Sequence, residues 1–525
     1  MPSDHAYLDG GNELGRRYIT DFARVEAFYS SDYRRPEHLA AQASRLLNRT
    51  WKPRFERETI VQLLKQYAER HPAPRAVHEN IERLADPAAV CVVTGQQAGL
   101  GGGPVLVLYK ALTAVRLARE VERASGQPCI PIFWNASDDS DIEEINRIRS
   151  VGAGGELRKF RFDIPAGKRH VRDIMLPGPE DASWQAAQEA LGDGPFAERA
   201  SLLLREGAGR NFGAAFTRLL NELLGSRGLV VIEPWALVDH PAWKRLLLLE
   251  VEKREERRTA LQRVAERLDA LGLPAGVPIS NHLNLFKTVR GERRHVSTEG
   301  KRLVIEGSDE SISKTELLKQ IRAEPGKFTP NVLLRPLVQN AIFPTVAYVG
   351  GQAEIAYHGL LKGLHRTSQV FMPSLFPRLS MTLVDAADAK LFDKIVAFRK
   401  RLKWRQNEAG IVSDEAQLAV RRAFHDLREN LTGLAKPLEQ DIVKFEQRTM
   451  RAVGDVMTRV KYDPLSITEG GGEMQPLLNR YFPEDKPQER VITLLSAYAR
   501  YGLKLIEAID SVPEVFDFGH HVAVM

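Results

Sequence analysis

Short, almost continuously apolar runs separated by longer amphipathic segments recur along the first part of the chain. The runs 89–93, 129–134 and 228–232 are typical of strands that are buried on both faces of a parallel sheet. Between the first two runs, the apolar positions of residues 104–123 follow the spacing of a helix. A strand, a helix and a second strand in this order form a crossover unit. The pattern therefore predicts an α/β core with an open, mostly parallel sheet.

The same texture continues to about residue 383, which we take as the end of a first domain, 1–383, with a helical N-terminus. Its second half contains three more apolar runs that predict strands: 332–334, 345–349 and 370–372. Between about 275 and 310 the predicted strands are short and charged, which indicates an insertion into the core.

From residue 384 onward the apolar residues follow alternating steps of four and three, the pattern of a coiled-coil seam. The seam consists of Val420, Phe424, Leu427, Leu431, Leu434 and Leu438. Pro437 interrupts it and predicts a bend near 433–437. We expect a helical coiled-coil domain over 384–480 and a segment, 481–525, that packs back on the core. The seam is covered either within one chain or by a second copy, and we favour a homodimer.

Composition limits the classes of function. The chain has 525 residues, too long for one core, and its 43% hydrophobic and 27% charged residues are typical of a globular protein. The net charge of +6 is small and forms no basic stripe with interleaved aromatics, so we expect no nucleic-acid partner. No apolar run approaches the ~20 residues that cross a bilayer, and we expect a cytoplasmic protein without a membrane partner. Cys91 and Cys129 fall in or beside predicted strands and read as core thiols.

The first polar loop follows the strand 89–93 and contains five glycines before Pro104. Glycines let a backbone approach a ligand, and the free N–H groups of a helix that starts at Pro104 would favour an anion. The loop lacks the Lys-Ser/Thr of a P-loop, so a structural turn is an equally good interpretation. Its polar side chains favour a binding site. The candidate binding residues here are Thr94, Gly95, Gln96, Gln97 and Gly103.

The second polar loop follows the strand 129–134. In an open α/β sheet, ligands bind outside the carboxyl ends of the strands, so this loop is expected close to the first one. Its aspartates supply the oxygen ligands that Mg²⁺ prefers, whereas a capping box, Ser140 to Glu143, favours a simple helix start. The candidates in this loop are Asn135, Ser137, Asp138, Asp139 and Asp141.

The third polar region surrounds the strand 345–349. Arg335 falls beside an apolar run, where a guanidinium needs either a carboxylate of the sheet or a substrate as its partner. After the strand, Glu354 and His358 are spaced to share one helix face, and His358 is either structural or a pocket residue. The candidates in this region are Arg335, Tyr348, Gly350, Glu354, Tyr357 and His358.

Taken together, these motifs resemble the bacillithiol-biosynthesis cysteine-adding enzyme family over nearly the whole chain. The segments that carry the resemblance are 93–100, 103–111, 131–146, 331–362 and 516–525. The resemblance implies a Rossmann-type core with inserted connecting segments and an α-helical coiled-coil domain that dimerises. It implies a ligase that joins L-cysteine to the amino group of glucosaminyl-malate, with ATP activating the cysteine carboxylate and no tightly bound cofactor.

On this hypothesis the glycine loop holds ATP phosphates or a substrate carboxylate. Asp138, Asp139 and Asp141 carry Mg²⁺ or the ammonium of cysteine, and Arg335 binds the malate carboxylates. The catalytic candidates are His358, Glu354 and Asp138, with His358 or Glu354 as the general base.

The chain departs from the usual family pattern at two places. Gly101 and Gly102 stand where relatives usually have Phe-Thr, and Ser140 stands where they usually have histidine. Two alternatives therefore remain beside the ligase. One is a paralogous amino-acid ligase that acts on another amine, and the other is a non-catalytic, dimeric small-molecule-binding protein.

Overall fold

A computed structural model describes residues 12–48, 55–152, 154–165, 167–300, 302–307, 311–430, 441–453 and 471–525. The helices are α1 Glu13–Thr20, α2 Pro36–Leu47, α3 Arg57–Arg70, α4 Arg75–Arg83, α5 Leu106–Ser125, α6 Ile142–Ile145, α7 Ser183–Glu189, α8 Ala197–Arg205, α9 Phe212–Leu224, α10 Pro241–Glu252, α11 Arg254–Asp269, α12 Lys314–Ala323, α13 Arg335–Ile342, α14 Gln352–His358, α15 Lys362–Ser368, α16 Phe392–Asn430, α17 441–453, α18 Gly471–Tyr481, α19 Leu494–Tyr501 and α20 Lys504–Asp510. The strands are β1 Val90–Gln96, β2 Cys129–Asn135, β3 Ile148–Val151, β4 Leu157–Phe160, β5 Val230–Ile232, β6 His282–Val289, β7 Glu292–Glu299, β8 Arg302–Ile305, β9 Ser311–Ile312, β10 Phe328–Pro330, β11 Thr345–Gly350, β12 Ser374–Pro377, β13 Ser380–Val384 and β14 His520–Val524.

The central sheet contains five parallel strands in the order β12-β11-β1-β2-β5. Two large apolar clusters pack against it. One joins the strands to the N-terminal helices and the insertion, and the other contains side chains of α5, α8, α9 and α19. The predicted α/β core with a parallel sheet is confirmed. From β1 the chain continues to β2 and β5 on one side, whereas β11 and β12 lie on the other. A crevice therefore forms between β1 and β11 at their carboxyl ends.

Two of the predicted strands are wrong. Residues 332–334 form a turn, because the Asn331 side chain accepts hydrogen bonds from the N–H groups of Leu333 and Leu334, at 2.9 and 3.1 Å, and α13 begins directly after this turn. Arg335 consequently lies in the first turn of a helix and not in a strand. Residues 370–372 are also not a strand, and β12 forms this edge of the sheet. Apolar runs of three residues do not distinguish a strand from a buried turn.

The glycine segment after β1 packs against the C-terminal part of the chain. Helix α5 begins at Leu106, while Pro104 forms a β-bridge with Thr493. Gly101 has a φ of +60°, and a Cβ atom there would lie 2.9 Å from the Thr493 methyl group. At Gly102, with a φ of +89°, an added Cβ atom would lie 3.1 Å from the Leu494 side chain. The structural-turn interpretation therefore applies to these two glycines, which permit a close approach of two chain segments.

The region between α11 and α13 contributes a second, antiparallel sheet in the order β10-β6-β7-β8-β9. A buried ion pair anchors it. The Arg257 Nε donates to a Glu250 oxygen at 2.6 Å, and both side chains are almost fully buried. The other Glu250 oxygen accepts from the N–H and the side-chain amide of Asn284 on β6, both at 2.9 Å. The pair thus joins α10 and α11 to the insertion.

In the C-terminal region, α16 runs for 39 residues and is followed by α17. The Phe424 and Phe445 rings lie 5.9 Å apart, so the two helices touch within one chain. Leu431, Leu434, Pro437 and Leu438 of the predicted seam, with the predicted bend at 433–437, lie outside the described residues. After α18 the chain returns to the core, where β14 pairs with β13. In the part of the chain that the structure describes, no helix has the length and apolarity that a bilayer crossing requires.

Replacing Arg257 tests the buried ion pair. Arg257→Met leaves the Glu250 carboxylate buried with only Asn284 as a partner, and we expect the free energy of unfolding to fall by about 3–5 kcal/mol. Urea titration followed by circular dichroism measures this change. Arg263→Met, at an exposed position of the same helix, is the matched control and should change stability by less than about 0.5 kcal/mol. Equal stabilities of the two variants would show that the pair is unimportant.

Candidate functional site

A cavity of about 980 Å³ opens at the carboxyl ends of β1 and β11, where the order of the strands reverses. Residues from all three predicted polar regions line it, including Gln97, Asp138 and Tyr348. The antiparallel sheet, α11 and the C-terminal segment complete the wall. The volume lies at the upper end of the range for small-molecule sites and is sufficient for more than one small substrate.

A buried lysine connects the two strands that border the crevice. Lys110 of α5 is 3% exposed, and its Nζ lies 2.5 Å from a carboxylate oxygen of Glu354 on α14. The same Nζ donates to the Gly95 carbonyl oxygen at 3.0 Å and to the Gln96 side-chain oxygen at 2.7 Å, both at the end of β1. All three N–H bonds of Lys110 are therefore used to hold β1 and α14 together.

The Glu354 carboxylate, like the Lys110 ammonium, has all of its partners within the protein. It accepts hydrogen bonds from the Tyr348 hydroxyl at 2.8 Å and from the Gly351 N–H at 2.9 Å, in addition to its ion pair with Lys110. Burial opposes ionisation, but Lys110 and the Gly351 N–H hold the pKa of the Glu354 carboxyl below its ordinary value. Such a group is poorly suited to accept a proton, so its contacts indicate a role in positioning Tyr348 rather than the predicted role of general base.

Asp139 connects the second polar loop to the antiparallel sheet. One of its carboxylate oxygens lies 3.0 Å from a terminal nitrogen of Arg293 on β7, and the other accepts from the Gln97 amide at 2.7 Å. Although burial opposes ionisation, Arg293 and Gln97 lower the pKa of the Asp139 carboxyl. The Arg293 guanidinium also lies 3.8 Å from the centre of the Phe286 ring. Asp139 is thus an ionised carboxylate that the protein itself satisfies.

Asp138 differs from its neighbour because one of its oxygens is open. The residue is 4% exposed and lines the cavity, yet its Oδ2 atom has no hydrogen-bond partner among the described residues. A buried carboxylate oxygen that lacks a partner is costly, which makes Asp138 a candidate for contact with a ligand. The guanidinium of Arg335, which lines the same cavity, donates to the Tyr357 hydroxyl at 3.2 Å, the one hydrogen bond of this side chain within the described residues. Asp138 and Arg335 thus present opposite charges to a bound molecule.

Three predicted binding residues lie behind the cavity and do not line it. The Thr94 hydroxyl donates to the Val349 carbonyl oxygen at 2.9 Å, and the Asn135 amide donates to the Gly213 carbonyl oxygen at 2.9 Å. Ser137 is fully buried. The Thr94 and Asn135 side chains thus join the ends of β1 and β2 to neighbouring elements of the core.

Three further candidates also lie away from the cavity wall. Asp141 is exposed and is the N-cap of α6, because its side chain accepts from the Glu144 N–H at 3.0 Å; a helix does start here, but its cap is Asp141 and not the predicted Ser140. Gly103 lies next to Gly99, and the Gly350 carbonyl accepts from the Arg378 N–H at 3.0 Å. The aspartates of the second loop therefore do not converge, and no group of three metal-binding side chains occurs within the described ranges.

The structure does not bring His358 to the cavity. Its ring stacks on the Tyr348 ring at 4.8 Å, on the side remote from the ligand space, and neither ring nitrogen has a hydrogen-bond partner among the residues that the structure describes. Burial lowers the pKa of His358 to about 3, so the imidazole is neutral. Of the two interpretations of His358, the contacts favour the structural one.

Some cavity residues were not found by sequence reasoning. The sequence could have indicated Lys110, since this lysine stands among apolar residues of the predicted helix, where a charge needs a partner. Arg293 lies in a charged stretch in which no single arginine is distinguished. Arg378, Lys486 and Arg490 reach the cavity from the C-terminal third of the chain, and no local pattern indicates this.

The parallel sheet, the crevice at its reversal point and the coiled-coil segment define a Rossmann-like ligand-binding protein with a C-terminal coiled coil. Residues 1–379 match the family model described as the N-terminal Rossmann-like domain of bacillithiol biosynthesis BshC, and residues 380–525 match its C-terminal coiled-coil domain. The chain therefore belongs to the BshC family.

Relatives agree with this assignment along the whole chain. A protein of Carboxydothermus hydrogenoformans is 28% identical over 97% of this chain and 96% of its own length. One of Symbiobacterium thermophilum is 28% identical over 94% of each chain. One of Halalkalibacterium halodurans is 32% identical over 64% of this chain and 63% of its own length. All three carry the name "Putative cysteine ligase BshC".

The neutral state of His358 predicts a pH dependence of stability. Because its pKa of about 3 lies below the ordinary 6.5, the unfolded chain binds a proton here between these pH values and the folded chain does not. Stability is therefore lost as the pH falls below about 6.5. His358→Leu removes this contribution, so between pH 7 and pH 5 it should lose about 2 kcal/mol less unfolding free energy than the parent protein.

Urea titrations of both proteins at the two pH values measure this difference. His78→Leu, at an exposed position, is the control and should keep the parent pH dependence. If the unfolding free energies of His358→Leu and the parent protein depended on pH in the same way, His358 would take up its proton as readily in the folded chain as in the unfolded chain, which would contradict the prediction.

Proposed function

We propose that this protein is a cysteine ligase that adds L-cysteine to the amino group of glucosaminyl-malate. The name of its relatives supports the ligase class, and membership of the BshC family supports a place in bacillithiol biosynthesis. We base the choice of substrates on the charged side chains that line the cavity. Asp138 lines the cavity with one carboxylate oxygen that has no hydrogen-bond partner among the described residues, and Arg335 lines the same cavity.

Both substrates match this arrangement. Cysteine carries an ammonium and a carboxylate, and glucosaminyl-malate carries an amine and the two carboxylates of its malate group. A guanidinium binds carboxylates through paired N–H bonds, so Arg335 is the proposed partner of a malate carboxylate. Asp138 is the proposed partner of the sugar amine, because its free oxygen is the acceptor that a nitrogen-bound proton requires.

Amide formation needs an activated carboxylate and a deprotonated amine. We propose that ATP provides the activation, so that one cysteine carboxylate oxygen departs with the phosphorus-containing group. Leu106 at the start of α5, with Lys486 and Arg490 of the C-terminal segment, lines the same cavity and offers positive charge to phosphates. As the described residues hold no cluster of three metal ligands, Mg²⁺ would enter with the phosphates that it binds.

Asp138 is the best-placed general base among the catalytic candidates. Glu354 is held ionised by Lys110, and His358 lies behind Tyr348. The attacking nitrogen of the sugar amine forms the new C–N bond and loses a proton, which the free Asp138 oxygen accepts. This assignment replaces His358 and Glu354 in the proton-transfer step and keeps Asp138 from the original set of candidates.

The coiled coil supports a further proposal, a homodimer. Among its described residues, Val420 and Leu427 lie one heptad apart on the predicted seam of α16, where Val420 is partly exposed and Leu427 is 41% exposed. A second copy of the chain would remove them from water. Val420→Lys combined with Leu427→Lys should convert a dimer into a monomer in sedimentation equilibrium. Glu415→Lys, at an exposed position of the same helix, should leave the dimer intact, and a monomeric parent protein would contradict the proposal.

The ligase is tested by incubating the protein with cysteine, ATP and glucosaminyl-malate and detecting the amide product by mass spectrometry. Asp138→Asn keeps the size of the side chain but removes the base, and we expect a loss of product formation of about 10²–10⁴-fold. Asp141→Asn is the matched control, because Asp141 caps α6 outside the cavity, and its rate should stay within about twofold.

Each other result has a definite meaning. Equal rates for Asp138→Asn and Asp141→Asn would contradict the role of Asp138. Product with another amine but not with glucosaminyl-malate would identify a paralogous ligase, the alternative that the serine at position 140 favours. Thermal stabilisation by the substrates without any product would identify a binding protein.

A further inference from the structure

The loop that carries Asp138 is held by a segment distant in sequence, residues 168–172, which we call the bridging segment. The Arg172 N–H donates to the Ser137 carbonyl oxygen at 3.0 Å. The Val171 N–H donates to the Asp139 carbonyl oxygen at 2.8 Å. The carbonyl groups on both sides of Asp138 are therefore tied to the bridging segment.

The other side of the bridging segment is attached to the antiparallel sheet. The Arg293 N–H of β7 donates to the Lys168 carbonyl oxygen at 2.7 Å. The fully buried His170 spans both sides. Its Nδ1 lies 2.9 Å from the Asp138 carbonyl oxygen, and its Nε2 lies 2.8 Å from the Thr288 hydroxyl on β6.

The partners of His170 determine which nitrogen carries the proton. A carbonyl oxygen only accepts, so Nδ1 donates its proton to Asp138. Nε2 then accepts from the Thr288 hydroxyl. Burial lowers the pKa of His170, which agrees with a neutral ring in these two bonds. The chain of bonds runs from the antiparallel sheet through one imidazole to the backbone of Asp138.

We propose that His170 is a positioning residue for Asp138 and that Thr288 sets its orientation, so the inserted sheet aligns the reacting carboxylate as well as covering the cavity. His170 does not line the cavity, so it acts through Asp138. The proposal rests on the proposed function in one respect only, the role of Asp138 as the reacting carboxylate.

The sharpest variant is Thr288→Val, which removes the donor to Nε2 and keeps the shape of the side chain. We expect kcat for cysteine ligation to fall about three- to tenfold, the effect of losing one neutral hydrogen bond, and KM for cysteine to stay within about twofold. Thr288→Ser retains the hydroxyl and should restore kcat. Thr298→Val on β7 is the matched control, since its hydroxyl has no hydrogen-bond partner within the described ranges, and it should match the parent protein.

A double-mutant cycle separates positioning from a merely structural role. In a His170→Ala background the Thr288 hydroxyl has no imidazole to orient, so adding Thr288→Val should cause no further loss of kcat. Two independent structural defects would instead multiply. In His170→Asn the side-chain amide replaces the Nδ1 donor but does not reach Thr288. We therefore expect this variant to have about the same kcat as Thr288→Val. The proposal would be overturned if the losses of kcat in the two single variants multiplied in the double variant. It would also be overturned if Thr288→Val had the same kcat as Thr298→Val.

A readout without substrates keeps the proposal apart from the ligase assignment. In the substrate-free full chain, hydrogen exchange of the Val171 and Arg172 amides reports their bonds to the loop of Asp138. Thr288→Val should accelerate hydrogen exchange at both amides about three- to tenfold. Unchanged exchange would overturn the coupling even if the protein is a ligase. Faster exchange in a protein without ligase activity would retain the coupling and refute only the proposed function.

Discussion

The ion pair between Lys110 and Glu354 is the interaction on which the cavity depends. A parallel sheet whose strand order reverses leaves β1 and β11 open to each other at their carboxyl ends. Lys110 comes from the helix after β1, and Glu354 comes from the helix after β11. A charge buried to this degree is tolerated only with full pairing, and the Gly95 and Gln96 oxygens complete it. The pairing fixes the width of the crevice and the position of the Tyr348 hydroxyl.

Around this crevice the protein satisfies most of its buried charges internally. Asp139 is paired with Arg293 at 3.0 Å, and Arg378 with Glu489 at 2.5 Å. Among the described residues, two buried carboxylate oxygens lack a hydrogen-bond partner, one of Asp138 and one of Glu233, and of these two residues only Asp138 lines the cavity. Low local dielectric strengthens any bond that a ligand makes there, because little water competes. The chemistry of the site therefore follows from which charges the fold leaves without a partner.

Residues of all three polar regions meet at one cavity, as the sequence predicted, but the sequence did not predict the direction of each side chain. Gln97 and Tyr348 line the cavity, whereas Ser137 is buried beside Asp138 and His358 lies behind a tyrosine. Along a strand or a turn, neighbouring side chains point to opposite faces, so proximity in sequence does not decide which one meets a ligand. The helix start at Arg335 was missed because the sequence analysis took the short apolar run before it as a strand, whereas the Asn331 side chain holds that run in a turn.

The sequence by itself determined the alternation of strands and helices, the parallel core, the coiled-coil segment and the resemblance to the BshC family. These follow from local periodicity and from motifs at strand ends, which a linear pattern records. The tertiary structure alone decided that Arg293 reaches Asp139, 154 residues away, and that Glu489 supports Arg378 across 111 residues. Such pairs depend on how separate segments pack, and long-range packing leaves no periodic trace in either segment. The glycine loop is a second example. Its glycines can be recognised in the sequence, but only the tertiary structure shows that Thr493 packs against them.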